Sequence, residues 1–505
     1  MKLPILLLVF VITIIFGSPV PSDNNYVNPS NAKAGVNCDN CKILMNGLKI
    51  QIDKNSSITD LDTFFYNTCV NLKIEEPDMC NQLMKAFGNE IYFSLKSTSL
   101  LPLDFCEAWV TSGCGYPSSI LNQPWPLTIS GSKPAVQPWP NPAAGKPTMR
   151  VLHLTDIHVD RKYSVGSEAN CAKGAIETYN FCCRAQNSSA TIKNPAGKYG
   201  TAARCDIPFI MFEETMKWIS SHESNLDYII VTGDFESHDI WSNQQDTTRI
   251  NLINITDTIY QYFPNTPVFQ TTGNHEGVPM DAYAWITVAD PDMTLDWLAK
   301  ELYDSEQKGE KVHIISHIPS GSSYCIKAFS DNYYQLVNRF ESTIAAQFFG
   351  HTHVDEFYLY FDGKNLTNRP THTAFVAPSL TTFSEANPAY KIYTIDGNYT
   401  GSSFTVIDEE TYWANLTEIN ANDKVEFKLE YNKRKDYGMK DLSPASYYDL
   451  AQRMLTDEDL LSKYIQNFHR NDQQLKTCDA KCRKNYICNA LTAERGMQDV
   501  FCAGL

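Results

Sequence analysis

Apolar and polar residues alternate with two different periods along this chain. Stretches such as DTFFYNTCVNLKI and MCNQLMKAFGNEIYFSL near the N-terminus have the spacing of amphipathic helices. From Arg150 onward, short apolar runs such as VLHL, YIIV and VHII are typical of buried strands, and helical stretches over 207–222 and 248–263 separate some of them. The pattern predicts an all-α region followed by an α/β layered domain and, from Ser446, further helices.

A proline-rich stretch divides the two parts. Eight prolines lie between Pro117 and Pro147, and such a run sustains neither a helix nor a central strand. We therefore predict a semi-rigid linker over 119–148, an α/β domain over 149–440 and a helical C-terminal region over 441–505.

The N-terminus carries the pattern of a secretory signal peptide over 1–18. Lys2 precedes an apolar stretch that ends at Phe16, and small residues follow. That stretch is shorter than the ~20 residues of a membrane-spanning helix. Six N-x-[ST] sequons agree with the secretory route; they begin at Asn55, Asn187, Asn254, Asn365, Asn398 and Asn415. We expect a secreted protein, extracellular or lysosomal.

Composition and cysteine spacing narrow the class of protein. A net charge of -16 argues against nucleic acid as a partner, since phosphate backbones bind basic surfaces. The first six of fifteen cysteines are spaced C-x2-C-x27-C-x10-C-x25-C-x7-C, which predicts a disulfide-stapled helical module. Two groups of four follow, over 171–205 and 478–502, and Cys325 is left over. We expect Cys325 to be a free thiol or to pair between chains.

Five apolar strands end in residues that bind metals: DIH, GD, GNHE, H and GHTH. In an extended chain, residues two apart point the same way, so Asp156 and His158 can converge on one ion. The candidate ligands suit zinc, iron or manganese rather than calcium, and they are too many for one tetrahedral ion: Asp156, His158, Asp234, Asn274, His317, His351 and His353. They fit two ions that share a carboxylate and together hold a nucleophile and a phosphoryl group.

These motifs, in this order, resemble the calcineurin-like metallophosphoesterase superfamily. The first six-cysteine spacing resembles a saposin B-type domain, and with GDFESHDIW, FFGHTHVDEF and NPAYKIYTIDG the chain is similar to the acid sphingomyelinase family. The resemblance implies a metallophosphoesterase β-sandwich flanked by helices and a saposin-like domain over 34–118. It also implies three disulfides in that domain: Cys38–Cys114, Cys41–Cys106 and Cys69–Cys80.

The resemblance further implies a role for each site residue. One zinc ion would take Asp156, His158 and His353, the other would take Asn274, His317 and His351, and Asp234 would bridge the two. His275 and His238 match histidines near the scissile phosphate, where a protonated imidazole can donate to the leaving oxygen. We prefer His275 as the general acid, with His238 orienting the substrate or also donating.

We therefore expect a secreted, zinc-dependent phosphodiesterase that hydrolyses sphingomyelin to ceramide and phosphocholine by attack of metal-bound hydroxide on phosphorus. The saposin-like domain would contact the membrane. Two alternatives stay open: a relative acting on nucleotides or other phosphocholine compounds, and a lipid-binding relative with impaired catalysis. The lipid-binding alternative is supported by a difference from the family. His317 follows His275 by only 42 positions, fewer than the family usually has. A genuine deletion and an incomplete gene model both explain it.

Overall fold

The computed structural model describes residues 5–9, 37–97, 101–110, 121–140, 142, 144–171, 181–185, 192–242, 244–278, 280, 290, 293–383, 385–470 and 478–503. Within the stretch between His275 and His317, residues 279, 281–289 and 291–292 therefore lie outside the described residues. None of the described helices is both long enough and apolar enough to span a membrane.

Four helices form the N-terminal module: α1 (Cys38–Asp53), α2 (Ile58–Asn71), α3 (Pro77–Ser97) and α4 (Pro102–Val110). Side chains at three- and four-residue intervals, such as Leu44 and Leu48 on α1, are buried against the other helices. Two of the three expected disulfides are present, Cys41–Cys106 and Cys69–Cys80. Cys38 is disulfide-bonded, but the third expected pair involves Cys114, which lies outside the described residues.

The strands are, in chain order, β1 (Ile5–Val9), β2 (Thr148–Leu154), β3 (Tyr228–Val231), β4 (Val268–Gln270), β5 (Lys311–Ile315), β6 (Ile344–Phe349), β7 (Glu356–Phe361), β8 (Pro370–Val376), β9 (Ala389–Asp396), β10 (Val406–Trp413) and β11 (Lys428–Asn432). They build a six-stranded sheet of order β11-β10-β9-β2-β3-β4 and a five-stranded sheet of order β1-β5-β6-β8-β7. Neighbours β2, β3 and β4 are parallel, as are β5 and β6.

The remaining helices are α5 (Phe209–His222), α6 (Gln245–Tyr262), α7 (Thr294–Lys308), α8 (Lys327–Arg339), α9 (Leu416–Asn422), α10 (Lys433–Asp436), α11 (Pro444–Met454), α12 (Glu458–Phe468), α13 (Ala480–Ala490) and α14 (Gln498–Cys502). The two sheets pack face to face, and helices cover both outer faces. Side chains alternate between the two faces of a strand, as β3 illustrates. Tyr228 and Ile230 lie between the sheets, while Ile229 and Val231 face α5 and α6. This arrangement confirms the predicted β-sandwich flanked by helices.

Strand β1 lies within the predicted signal peptide. It pairs in parallel with β5 at the edge of the five-stranded sheet. The rest of 1–18 lies outside the described residues, so the signal peptide stays a prediction.

The proline-rich linker is docked on the α/β domain rather than free as a spacer. The Trp125 ring contacts Phe329 of α8 edge to face at 4.6 Å, and Asn332 donates a hydrogen bond to the Trp125 carbonyl at 3.0 Å. Further along, Lys133 pairs with Glu341 at 2.8 Å. Sequence reasoning missed this docking, because proline content reports on backbone stiffness and not on tertiary contacts.

The four other described disulfides fall within the two predicted groups of four, as Cys171–Cys182, Cys183–Cys205, Cys478–Cys482 and Cys488–Cys502. Cys325 forms no disulfide among the described residues, and it is 1% exposed. Such burial disfavours pairing between chains, and it raises the pKa of the Cys325 thiol to about 12.

We predict that a thiol reagent leaves the native protein unmodified and labels one site per chain after denaturation without reduction. Cys325→Ser should remove that label, as counted by intact-protein mass spectrometry. A denatured, unreduced wild-type chain without a reactive thiol would contradict the assignment.

Candidate metal centre

All seven candidate ligands lie just beyond the carboxyl ends of five strands. Asp156 and His158 follow β2, Asp234 follows β3, Asn274 follows β4, and the remaining three histidines follow β5 and β6. The parallel strands of each sheet end at the same edge, where function gathers in α/β folds. Six of the seven residues are buried, and His351 is half-buried. The structure thus brings the whole predicted set together.

The side chains form two groups. Ligand-type atoms of Asp156, His158 and His353 lie within 4.8 Å of one another, and so do those of Asp234, His317 and His351. Asn274 belongs to the second group, since its Oδ1 lies 3.1 Å from His317 Nε2 and 3.0 Å from His351 Nδ1. These groups match the two predicted ligand sets, while the role of each residue as a ligand stays a prediction.

Asp234 stands between the groups. Its Oδ2 lies 3.4 Å from His158 Nε2 and 3.0 Å from His317 Nε2. Burial alone would raise the pKa of Asp234, but the charges of His317 and His275 hold it well below its usual value. An ionised carboxylate between two imidazoles is the arrangement that a bridging ligand requires.

The imidazoles are oriented to bind cations. His158 Nδ1 donates to the Glu236 carbonyl and His317 Nδ1 donates to the Thr232 carbonyl, both at 2.6 Å. When neutral, each ring therefore presents the lone pair of Nε2 to the site, as metal-binding histidines do. Within the described part of the chain, the buried Nε2 of His158 has no hydrogen-bond partner. Because nitrogen and oxygen lone pairs converge here, the residues present fit a pair of cations.

The turns that present the ligands adopt an unfavourable backbone conformation. Five candidate ligands have positive φ, between 43° and 72°: Asp156, His158, Asp234, His351 and His353. For residues other than glycine, such angles each cost on the order of 1 kcal/mol or more and persist where the surrounding structure imposes them. The candidate ligands themselves adopt the left-handed conformation, as does Gly233 directly before Asp234 (φ 91°).

Glycine is needed here mainly for close approach. A Cβ at Gly350 would overlap Thr155 Oγ1 and come within 2.6 Å of Asp156 Oδ2, and one at Gly273 would collide with the Asp234 carboxylate. The segments that carry the ligands could not otherwise come this close.

His275 and His238 lie beside the first group. Their ring centroids are 4.6 Å apart, and those of His238 and His158 are 4.1 Å apart. His275 Nδ1 donates to the Ser237 carbonyl at 3.1 Å. Both imidazoles therefore border the site, as predicted, and the structure leaves their roles open.

Sequence reasoning missed three buried residues that hold this site. The Glu276 carboxylate accepts backbone N–H groups of Asp234, Phe235 and Gly273 at 3.0, 2.7 and 2.5 Å, joining the ends of β3 and β4. Its place in the GNHE motif was a usable signal. Asp206 contacts His238, and the fully buried Arg470 donates to the carbonyl of His353. Neither belongs to a recognisable motif.

We predict that Gly350→Ala weakens metal binding by about 10–100-fold, because the added methyl group displaces Thr155 or Asp156. The measurement is metal content after dialysis against graded chelator. Gly401→Ala is the control: its positive φ (85°) makes an alanine strained there, but nothing lies within 4 Å of its Cβ position, so this variant reports backbone strain without crowding at the site. Equal metal retention by both variants would contradict this reading of the site.

Comparisons with known proteins agree with this geometry. The family model described as calcineurin-like phosphoesterase matches residues 149–355, and the model described as acid sphingomyelin phosphodiesterase C-terminal region matches 369–496. Sphingomyelin phosphodiesterase 2 of Caenorhabditis elegans is 37% identical, over 94% of this chain and 89% of the relative. The Homo sapiens sphingomyelin phosphodiesterase is 31% identical, over 90% and 81%.

A more distant relative is named for a different substrate. The Homo sapiens cyclic GMP-AMP phosphodiesterase is 27% identical, over 69% of this chain and 88% of its own length. The relatives that match more than two thirds of this chain at 30% identity or better confirm the resemblance inferred from the motifs. This chain belongs to the sphingomyelin phosphodiesterase family, with a calcineurin-like phosphoesterase domain that carries the candidate dimetal site.

Proposed function

We propose that the protein is a secreted, zinc-dependent phosphodiesterase that hydrolyses sphingomyelin to ceramide and phosphocholine. The observation that carries the proposal is the pair of ligand groups that share Asp234, in a chain whose most similar relatives named above are sphingomyelin phosphodiesterases. The histidine-rich ligand set supports zinc over calcium or magnesium. The six sequons and the N-terminal apolar stretch support secretion.

Different side chains would have different roles in the reaction. Two cations, when bound, would activate water at acidic or neutral pH and offset the negative charge of the phosphoryl group. Asp234 fixes the spacing of the two ligand groups, and the Nδ1 hydrogen bonds of His158 and His317 keep both rings aimed inward. His275 and His238 stand at the border of the site, where a proton can pass to the departing ceramide oxygen.

The surface of the helical module favours a substrate that lies in a membrane. Five large apolar side chains of 37–110 are more than half exposed: Ile43, Ile50, Ile58, Phe93 and Leu101. Ile43 and Ile50 are seven residues apart on α1 and so share one face. Exposed apolar groups of this size are favoured where a protein contacts lipid. We propose that the module contacts the membrane that carries the sphingomyelin.

The two alternatives have less support. The relative named for a cyclic dinucleotide aligns with 69% of this chain, whereas the sphingomyelin phosphodiesterases above align with 90% or more. A lipid-binding relative with impaired catalysis would have no need of seven convergent ligand-type side chains, and all seven are gathered here.

We predict that Asp234→Ala lowers sphingomyelin hydrolysis by a factor of about 1,000 or more, because losing the shared carboxylate removes several kcal/mol of transition-state stabilisation. The assay compares sphingomyelin micelles with nucleoside triphosphates at acidic pH, using zinc-loaded protein. Asp304→Ala is the control, since Asp304 is a surface residue paired with Lys300. Faster turnover of nucleotides than of sphingomyelin by the wild type would overturn the proposed substrate.

A second prediction tests membrane contact. The double variant Ile50→Asp, Phe93→Asp should bind sphingomyelin vesicles about 30-fold more weakly, since it loses about 2 kcal/mol of apolar burial. Vesicle sedimentation measures binding, and a soluble short-chain substrate checks that catalysis is unchanged. Ile250→Asp, Ile253→Asp is the matched control, because these residues of α6 are 43% and 45% exposed. Equal loss in both double variants would argue against a specific membrane face.

A further inference from the structure

A fully buried carboxylate lies directly behind one of the two histidines that border the site. Asp206 is 0% exposed, and its Oδ1 accepts a hydrogen bond from His238 Nδ1 at 2.9 Å. Its Oδ2 accepts the backbone N–H of His238 at 2.7 Å. The same carboxylate therefore fixes both the main chain and the ring of His238.

Asp206 is itself held in place by neighbouring groups. Thr381 Oγ1 donates to Asp206 Oδ1 at 2.7 Å. The preceding residue, Cys205, forms a disulfide with Cys183, and its carbonyl accepts a hydrogen bond from Thr382 at 2.6 Å. A carboxylate oriented by so many contacts can orient its own partner closely.

The face of the His238 ring is also fixed. The Phe383 ring stacks on it with a centroid distance of 3.9 Å and an interplanar angle of 15°. Asp206 binds one edge of the imidazole and Phe383 covers one face, so the opposite edge, with Nε2, is the one left for chemistry. One ring nitrogen from each of His158, His238 and His275 lies within 4.8 Å of the other two.

His275 has a different kind of partner. Its Nδ1 donates to a backbone carbonyl, that of Ser237, and not to a carboxylate. Both kinds of acceptor fix the tautomer, but a carboxylate, unlike a neutral carbonyl, also stabilises the positive charge that the ring carries when both nitrogens are protonated. Within the part of the chain that the structure describes, His238 is the one of the two whose Nδ1 is bonded to a carboxylate.

We propose that Asp206 is a positioning residue that holds His238 as the proton donor to the leaving group. This inference rests on the proposed phosphodiesterase function. The bond between phosphorus and the primary oxygen of ceramide breaks, and that oxygen takes the proton from His238 Nε2. Water supplies the oxygen of the new bond to phosphorus, and the proton that it releases restores His238, which keeps its Nδ1 proton on Asp206 throughout.

The experiment compares two leaving groups. The ceramide alkoxide needs a proton as it departs, whereas the nitrophenolate of 4-nitrophenyl phosphorylcholine does not. Zinc-loaded Asp206→Asn should lose about 10²–10⁴-fold in kcat for sphingomyelin with KM nearly unchanged. Its kcat for the nitrophenyl ester should fall less than tenfold. Metal content, measured in parallel, should equal that of the wild type.

Two further variants make the result decisive. Asp396→Asn is the matched control, because Asp396 is also buried and accepts several hydrogen bonds, from Ser402, Ser403 and Tyr399. The Asp396→Asn variant should not lower kcat for one substrate more than for the other. If Asp206→Asn does not fold, Thr381→Val decides, since it removes only the hydroxyl that orients Asp206 and should show the same selective loss to a smaller degree.

Equal losses on both substrates, or no loss on either, would overturn the role of Asp206. A wild-type enzyme that cleaves the nitrophenyl ester but not sphingomyelin would instead refute the proposed substrate. The two failures are therefore distinguishable.

Discussion

The site depends on one shared carboxylate between the two sheets. Asp234 follows β3 of the six-stranded sheet, and its Oδ2 lies 3.0 Å from His317, which follows β5 of the five-stranded sheet. His158, from the six-stranded sheet, lies 3.4 Å away on the other side. Because residues from both sheets meet at this carboxylate, the two sheets must keep fixed positions relative to each other. The close packing of Phe348 and Tyr393 between the sheets provides that rigidity.

The C-terminal region also supports the candidate metal centre, through contacts to the residues that follow β6. Arg470 donates to the carbonyl of His353, and Asp355, two residues further on, pairs with the buried Lys391 at 2.7 Å. Lys391 also contacts Glu409, which in turn pairs with Lys433. Buried charges are costly unless they are paired, so removing one member of this network would leave an uncompensated charge beside the β6–β7 turn. The candidate ligand His353 thus has support on both sides.

The sequence predicted the residues that touch the site better than the residues that support it. Strand ends are visible in a sequence because apolar runs stop there, and Asp156, Asp234 and His317 each stand where such a run ends. Asp206 and His238 are 32 residues apart, and Arg470 and His353 are 117 apart. Contacts over such separations leave no local pattern. The docked linker was missed for the same reason, since its partners lie on α8 or just after it, some 200 residues further along the chain.

Zinc stoichiometry tests the central claim most directly. Elemental analysis of the purified protein, combined with anomalous diffraction at the zinc edge, measures how many ions bind and where they lie. We predict two ions per chain, one beside Asp156 and one beside Asn274, with Asp234 in contact with both. A single ion, or two ions that do not share Asp234, would contradict the account.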